Sequence, residues 1–156
     1  MTIQLKDDFG IRGDLHIVER NIITGEIVGE FEEKNIVLTQ GKGLILSAFA
    51  DAGSSQHQAA TIKIGKDFGT GSIMNPSTAT ADMTEAYQDV VYTVPPEEFF
   101  VSFPTANSVR FLATINGATV MSNYPSLPNV IYTSASIYTA SGKSVTYKRF
   151  PARTIS

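Results

Sequence analysis

The residues that could carry out acid–base or nucleophilic chemistry are few, because the 156-residue chain has two histidines and no cysteine. His16 lies in a predicted strand and His57 in a polar loop, and solvent-exposed positions explain both. A Ser-His-Asp triad would need one of them, yet no Gly-x-Ser-x-Gly segment is present to display a serine. The lack of cysteine excludes disulfides and thiolate metal sites. The sequence therefore predicts no catalytic residue and no enzyme.

Paired carboxylates occur three times, at Asp7-Asp8, Glu32-Glu33 and Glu97-Glu98. Neighbouring residues of a strand point to opposite faces, so no adjacent pair can supply the two cooperating carboxylates of a glycosidase. Members of different pairs could still meet in space. Solvated surfaces are the simpler interpretation.

Residues 65–72, GKDFGTGS, superficially suggest a phosphate-binding loop. The segment lacks the Gly-Lys-Ser/Thr ending at the required spacing, and no helical pattern follows it. The spacing of Asp67, Asp82 and Asp89 does not match a calcium-binding loop. We expect glycines in a tight surface loop, with no metal and no cofactor.

Tyrosines could line a sugar-binding groove, as aromatic rings do in many carbohydrate-binding modules. The candidates are Tyr87, Tyr92, Tyr124, Tyr132 and Tyr138. At this density, tyrosines more often pack one ring and place the hydroxyl at an edge or an interface. A host-glycan-binding module stays an alternative.

The element that organises the chain is a predicted hairpin over residues 129–151. Residues 130–139 alternate, with Ile131, Ala135 and Ile137 on one face and Tyr132, Ser134, Ser136 and Tyr138 on the other. Gly142, in the short loop 140–143, supplies the positive φ that such a loop usually needs.

Other segments predict more strands and one helix. Residues 14–38 indicate a hairpin, and strands are expected at 60–65, 87–94 and 98–103. Asn116-Gly117 predicts a further hairpin within 108–121. The pairs Leu44/Ala48 and Ile45/Phe49 predict a short helix near residues 40–52. The chain is therefore predicted to be all-β, a β-sandwich or jelly roll of eight or nine strands with one short helix.

The same sequence patterns predict the domain organisation. Residues 1–12 are expected to form an N-terminal arm, and residues 13–156 a single β-sandwich domain. Residues 66–84 have no periodicity, and a loop this long is usually functional or ordered by a partner. No apolar run is long enough to span a bilayer, and the acidic N-terminus does not match a signal peptide.

Charge is sparse and unevenly distributed. Charged residues make up 17% of the chain, against a typical quarter. The fifteen acidic and seven basic residues of 1–98 give −8, whereas 99–156 has five basic residues and no acidic one. Neutralisation of the two parts within one fold is the favoured explanation, and contact between copies, head to tail, is the alternative. Nucleic-acid binding is the least favoured explanation, because the pI is near 5.3.

The order of these segments resembles a group of small tailed-bacteriophage virion proteins. The resemblance covers most of residues 13–153 and depends on short motifs: Thr24-Gly25-Glu26-Ile27, Glu33-Lys34-Asn35-Ile36-Val37, Gly41-Lys42-Gly43-Leu44, Ile62-Lys63-Ile64-Gly65, Tyr132-Thr133-Ser134-Ala135, Ala140-Ser141-Gly142-Lys143 and Tyr147-Lys148-Arg149-Phe150-Pro151.

This resemblance implies a repeated, non-enzymatic β-domain in the virion, assembled in the host cytoplasm. Expected partners are copies of the same chain and other virion proteins. The expected location is a ring or lattice on the tail, collar or baseplate. A capsid decoration or head-fibre protein is the variant of this hypothesis.

Overall fold

The computed structural model describes residues 13–50, 57–67 and 88–156. Within these ranges the chain forms eight strands, which confirms the all-β class. The predicted arm, residues 1–12, lies outside the described residues, as does most of the predicted loop 66–84. The strands are β1 (Gly13–Arg20), β2 (Ile27–Val37), β3 (Ala59–Asp67), β4 (Gln88–Thr93), β5 (Phe99–Thr105), β6 (Ser108–Ala113), β7 (Val130–Thr139) and β8 (Thr146–Ile155).

Six of the strands form one antiparallel sheet in the order β1-β2-β8-β7-β3-β4, and β5 and β6 form a two-stranded sheet. The predicted C-terminal hairpin is the β7–β8 pair, at the centre of the larger sheet. Gly142 in its turn has φ 81° and Gly25 in the β1–β2 turn has φ 73°. Both turns therefore depend on glycine, since other residues adopt positive φ only at a cost.

A register shift divides the β7–β8 ladder. Tyr132 pairs with Arg153, but Ser134 pairs with Arg149, so β8 carries two extra residues between these pairs. Pro151, which has no amide hydrogen to donate, lies in this irregular stretch, and β8 continues past it.

The shift also corrects the predicted alternation of β7. Val130, Tyr132 and Ala135 all belong to the hydrophobic core, although residues 132 and 135 have opposite parity. Ile131, predicted to face the same way as Ala135, is exposed. Strict alternation from one end of the strand to the other was therefore wrong.

Only two residue pairs, Ile36–Tyr147 and Val37–Thr146, join β2 to β8. We call this junction the β2–β8 seam. Helix α1 (Thr39–Ala50) follows it directly, in agreement with the predicted helix near 40–52. The Gln40 side-chain amide donates to the Ser144 carbonyl at 3.1 Å, which fixes the start of α1 against the β7–β8 turn.

The predicted Asn116-Gly117 hairpin turn is wrong. Residues 117–122 form a short helix, α2 (Gly117–Ser122), and Asn116 caps it by accepting a hydrogen bond from the Ala118 amide at 2.9 Å. Asparagine favours both tight turns and helix N-caps. Burial decides between them, because the helix places Val120 completely inside the core.

The core lies on one face of the large sheet, under α2 and the base of the β5–β6 hairpin. Phe150 is its aromatic centre: the Phe31 ring centroid lies 5.3 Å away in a tilted arrangement and the Tyr132 centroid 5.7 Å away, edge to face. Phe99 and Ala113 bring the hairpin base against this cluster. No helix in the described part of the chain is long and apolar enough to cross a membrane.

Candidate interaction surface

The two histidines do not form a common site. His16 is exposed on β1, where its Nε2 lies 2.8 Å from Glu30 Oε1. His57 precedes β3, and β1 and β3 are four strand positions apart, which is about 19 Å at the usual strand spacing. The Nδ1 atom of His57 is buried without a hydrogen-bond partner among the described residues.

The carboxylates are equally dispersed. In β2, Glu32 pairs with His16 and Glu33 with Leu15, so the two occupy successive register positions. Glu97 and Glu98 lie in a single turn of 3-10 helix (Pro96–Glu98) before β5. No group of three potential ligand side chains suited to a metal ion occurs within 13–50, 57–67 and 88–156. Asp82 lies outside the described residues.

The tyrosines do not line one groove within the described ranges, which exclude Tyr87. Tyr92 and Tyr132 are in the core, and the Tyr124 hydroxyl donates to the Val91 carbonyl at 2.9 Å. Burial, and to a lesser extent the carboxylates of Glu98 and Glu97, raise the pKa of Tyr92. Tyr138 alone borders an open cleft of about 310 Å³, where the Lys63 ammonium lies 4.3 Å from its ring centroid.

The basic residues of the C-terminal part have separate environments. Lys148 and Arg149 are buried, and Lys143 and Arg110 are exposed. Arg149 Nε donates to the Tyr147 hydroxyl at 3.2 Å. Arg153 pairs with Glu19, so one contact between the acidic and basic parts is made within the chain.

The most connected titratable cluster joins β1, β7 and β8. Arg153 Nε donates to Glu19 Oε1 at 2.6 Å, and the Tyr132 hydroxyl donates to the same oxygen at 3.2 Å. Burial first, and then the nearby Glu19 carboxylate, raise the pKa of Tyr132 to about 12. The hydrogen bond to Glu19 raises the pKa of Arg153. We call these three residues the Glu19 cluster.

The Glu19 cluster spans β2, which lies between β1 and β8 in the sheet. The position on β2 opposite Glu19 is Gly29. A Cβ atom there would overlap Glu19 Oε2 and lie 2.8 Å from Arg153 Nη2. Because Gly29 has no side chain, the Glu19 and Arg153 side chains have room to meet across β2.

Sequence reasoning did not identify this cluster, although one signal was present. Leu15 and Ile17 are the inward positions of β1, and the same alternation places Glu19 third in that series. A carboxylate at a core-facing position needs a partner, but nothing local could identify Arg153, 134 positions later. The cluster has a structural role: it holds the β1–β2 hairpin to β8.

Exposed apolar side chains are concentrated on two hairpins. Of the fifteen large hydrophobic residues that are exposed in the described ranges, ten lie on them. They are Val18, Ile22, Ile23, Ile27 and Val28 on β1–β2, and Phe100, Val101, Phe103, Val109 and Leu112 on β5–β6.

The β5–β6 hairpin has one face turned away from the core. Phe99 and Phe111 stack at its base on the inner side, with ring centroids 5.9 Å apart. On the other side Phe100 pairs with Leu112 and Ser102 with Arg110. We call these four residues the β5–β6 outer face. Phe100 and Leu112 remain 56% and 55% exposed, and Arg110 is the only charged residue of either strand.

The second concentration is the tip of the β1–β2 hairpin, where Ile22 and Ile23 are 80% and 90% exposed. The Asn21 side chain fixes this turn by accepting hydrogen bonds from the amides of Ile23 and Thr24 at 2.8 and 3.1 Å. We define the β1–β2 apex as the exposed aliphatic residues and the two carboxylates beside them: Ile22, Ile23, Ile27, Val28, Glu26 and Glu30.

Comparison with known proteins yields no relative: no family model, no curated protein and no solved structure matches this chain. Its function must therefore be inferred from these surfaces and from the motifs in its sequence.

Proposed function

We propose that this chain is a non-enzymatic structural protein of a bacteriophage virion, which assembles in many copies into a ring or lattice on the tail, collar or baseplate. The observation that carries the proposal is the concentration of ten exposed hydrophobic side chains on two hairpins. Groups of exposed apolar side chains mark protein–protein contact sites more often than isolated exposed residues do.

The β5–β6 hairpin supports assembly more strongly than the composition does. A two-stranded hairpin is marginally stable by itself, and in the described part of the chain Phe99 and Ala113, at its base, are the hairpin residues that pack against the core. All residues from Phe100 to Arg110 are exposed. Burial of Phe100 and Leu112 against another subunit would remove the largest apolar side chains of its outer face from water.

The assignment to a virion depends on the resemblance of the motifs to small tailed-phage proteins. A virion component needs repeated contacts and no reactive centre, and the low charge of 17% suits extensive contact surfaces. A capsid decoration or head-fibre protein would use the same contacts at a different position in the particle.

Two measurements test this function. Sedimentation velocity of the purified chain is expected to detect oligomers whose population increases with concentration. Quantitative mass spectrometry of purified virions is expected to find the chain in a fixed, multiple copy number. A chain that stays monomeric at the highest soluble concentration and is missing from virions would contradict the proposal.

One observation favours a second candidate, the binding of host glycans. The cleft of about 310 Å³ is lined by the Tyr138 ring, Thr93 and Thr61, although the Thr61 hydroxyl already donates to the Val94 carbonyl. However, Lys63 already covers one face of the Tyr138 ring, and a sugar would also have to stack on a ring face. A glycan array should give no signal if the structural role is correct, and a Tyr138→Ala-sensitive hit would favour the lectin-like role.

A further inference from the structure

We propose that the β5–β6 outer face of one copy docks on the β1–β2 apex of a second copy, in a head-to-tail contact. This inference rests on the proposed assembly function and specifies its interface. Both surfaces are exposed on the same chain, and neither is covered by any other described residue. The two surfaces differ, so the contact is heterologous and generates a ring or an open array according to its rotation.

Charge determines which surfaces fit each other. The β5–β6 outer face carries Arg110 and no carboxylate, whereas the β1–β2 apex carries Glu26 and Glu30 beside a single arginine, Arg20, whose guanidinium donates to the Gly25 carbonyl, so the apex is acidic by one charge. Two β5–β6 outer faces meeting about a twofold axis would bring like charges together, which opposes association. The apex offers opposite charge together with aliphatic surface, so a second copy presents the complementary surface.

The spacing of apolar and charged positions also agrees. On β6, Arg110 lies two residues from Leu112, and on β2, Glu30 lies two residues from Val28. Two residues span about 6.8 Å in an antiparallel strand. With β6 and β2 antiparallel across the interface, a contact of Leu112 with Val28 therefore brings Arg110 within reach of Glu30.

Glu30 can take part in this pair while keeping its own neighbour. Its Oε1 atom is the one that lies 2.8 Å from His16 Nε2, and a carboxylate can accept further hydrogen bonds through its second oxygen. Both Glu30 and Arg110 are exposed. Substitutions at these two positions therefore change the surface charge and leave the core intact.

A charge-swap experiment on the full chain tests the pairing. Arg110→Glu and Glu30→Arg, made separately, are each expected to weaken association in sedimentation velocity about tenfold or more, since each places like charges in contact. The combination of both substitutions in one chain restores an opposite-charge pair, and association is expected to return to within about threefold of the original. Lys143→Glu and Asp14→Lys, at exposed positions outside both surfaces, are the matched controls and should leave association unchanged.

The apolar part is tested by Phe100→Ser combined with Leu112→Ser, which should abolish the oligomer, with Leu127→Ser as the control at an exposed loop position. Far-UV circular dichroism and the unfolding midpoint of each variant establish that the monomer stays folded. A variant that loses its fold is replaced by Leu112→Cys and Val28→Cys chains, mixed in the otherwise cysteine-free background. The proposed contact predicts a disulfide between the two kinds of chain, whereas Leu112→Cys chains alone should stay unlinked.

The outcomes separate this interface from the broader function. An original chain that never associates would overturn this pairing, and its absence from purified virions as well would overturn the assembly function. Oligomers that persist in all variants, or weaken without rescue by the double charge swap, would overturn this pairing and leave the assembly function standing; the latter result would indicate contact between two β5–β6 hairpins or with another protein.

Discussion

Removal of the Glu19 carboxylate should destabilise the fold far more than removal of an exposed glutamate. In Glu19→Ala, Arg153 and the Tyr132 hydroxyl lose their shared acceptor at distances of 2.6 and 3.2 Å. The side chains of Arg153 and Glu19 are 17% and 29% exposed, so the pair is mostly shielded from water.

The expected loss of unfolding free energy lies between the values for an exposed and a fully buried ion pair. An exposed ion pair contributes about 0–1 kcal/mol, whereas breaking a fully buried pair costs about 3–5 kcal/mol. Hydrogen bonds to charged groups contribute about 1.5–3 kcal/mol. We therefore expect Glu19→Ala to lower the free energy of unfolding by about 2.5 kcal/mol. For a chain of this length, that corresponds to a decrease in Tm of about 5–10 °C.

The assay is urea unfolding followed by far-UV circular dichroism, because the chain has no tryptophan. Measurements at two protein concentrations separate folding from association. Glu32→Ala, at an exposed position on β2, is the matched control and should change the free energy of unfolding by less than about 0.5 kcal/mol.

A double-mutant cycle with Arg153→Met, which retains most of the side-chain length, isolates the ion pair. Once Arg153 is replaced, Glu19→Ala should cost about 1 kcal/mol or less, the part due to Tyr132. Equal costs for Glu19→Ala with and without Arg153, or a cost no larger than that of the Glu32 control, would refute the reasoning. Gly29→Val should mimic loss of the pair, because its side chain would occupy the passage between Glu19 and Arg153.

The remaining predictions concern other single positions. The pKa of Tyr132 is raised to about 12, so its contribution to stability is present below pH 10 and is lost as the pH rises towards 12; Tyr132→Phe should remove up to about 2.7 kcal/mol of that pH dependence in alkaline unfolding curves. Gly41→Ala should destabilise the chain by about 1–3 kcal/mol, because the new Cβ would overlap the Val145 carbonyl; thermal unfolding measures the loss, and an unchanged Tm would contradict it. Asn116→Ala should cost about 1 kcal/mol through loss of the α2 cap, with Asn116→Asp as the control that keeps an acceptor and most of the stability.

Local patterns were sufficient to predict most strands. The β7–β8 and β1–β2 hairpins follow from runs of β-branched and aromatic residues around short polar turns, and α1 follows from its spaced apolar residues. These signals depend on residues that are close in the sequence, and the elements that they predict are present in the structure. The predictions failed where two local solutions have similar cost, as at Asn116, which can close a turn or cap a helix.

The arrangement of the strands could not be read from the same patterns. The pairing of β2 with β8 joins residues more than a hundred positions apart, and no local feature of Ile36 or Val37 indicates Tyr147 or Thr146. The register shift near Pro151 likewise exchanges the faces of β7 without a mark in β7 itself. Alternation predicts which residues share a face only while the ladder stays regular.

The positions of the exposed apolar side chains could not be predicted from the sequence, and head-to-tail contact between copies stays a prediction. The uneven charge of the chain suggested head-to-tail contact, and the structure locates the exposed apolar side chains on two specific hairpins. Phe100 and Leu112 appear in the sequence as ordinary core-forming strand residues. Their exposure depends on which of the described elements pack against the β5–β6 hairpin, and that is set by tertiary structure and not by local sequence.

The β2–β8 seam attaches the β1–β2 hairpin to the rest of the large sheet through few backbone pairs. Two residue pairs at one end hold nineteen strand residues to the rest of the sheet, so the backbone ladder resists detachment weakly and side chains such as Glu19 and Arg153 supply the remainder. Amide protons at the β1–β2 apex should therefore exchange with deuterium much earlier than those of β7. In an assembly of copies, the β1–β2 hairpin would be the flexible part of each subunit. It could adjust to changes in the distance between subunits, whereas β3, β7 and β8 would stay rigid.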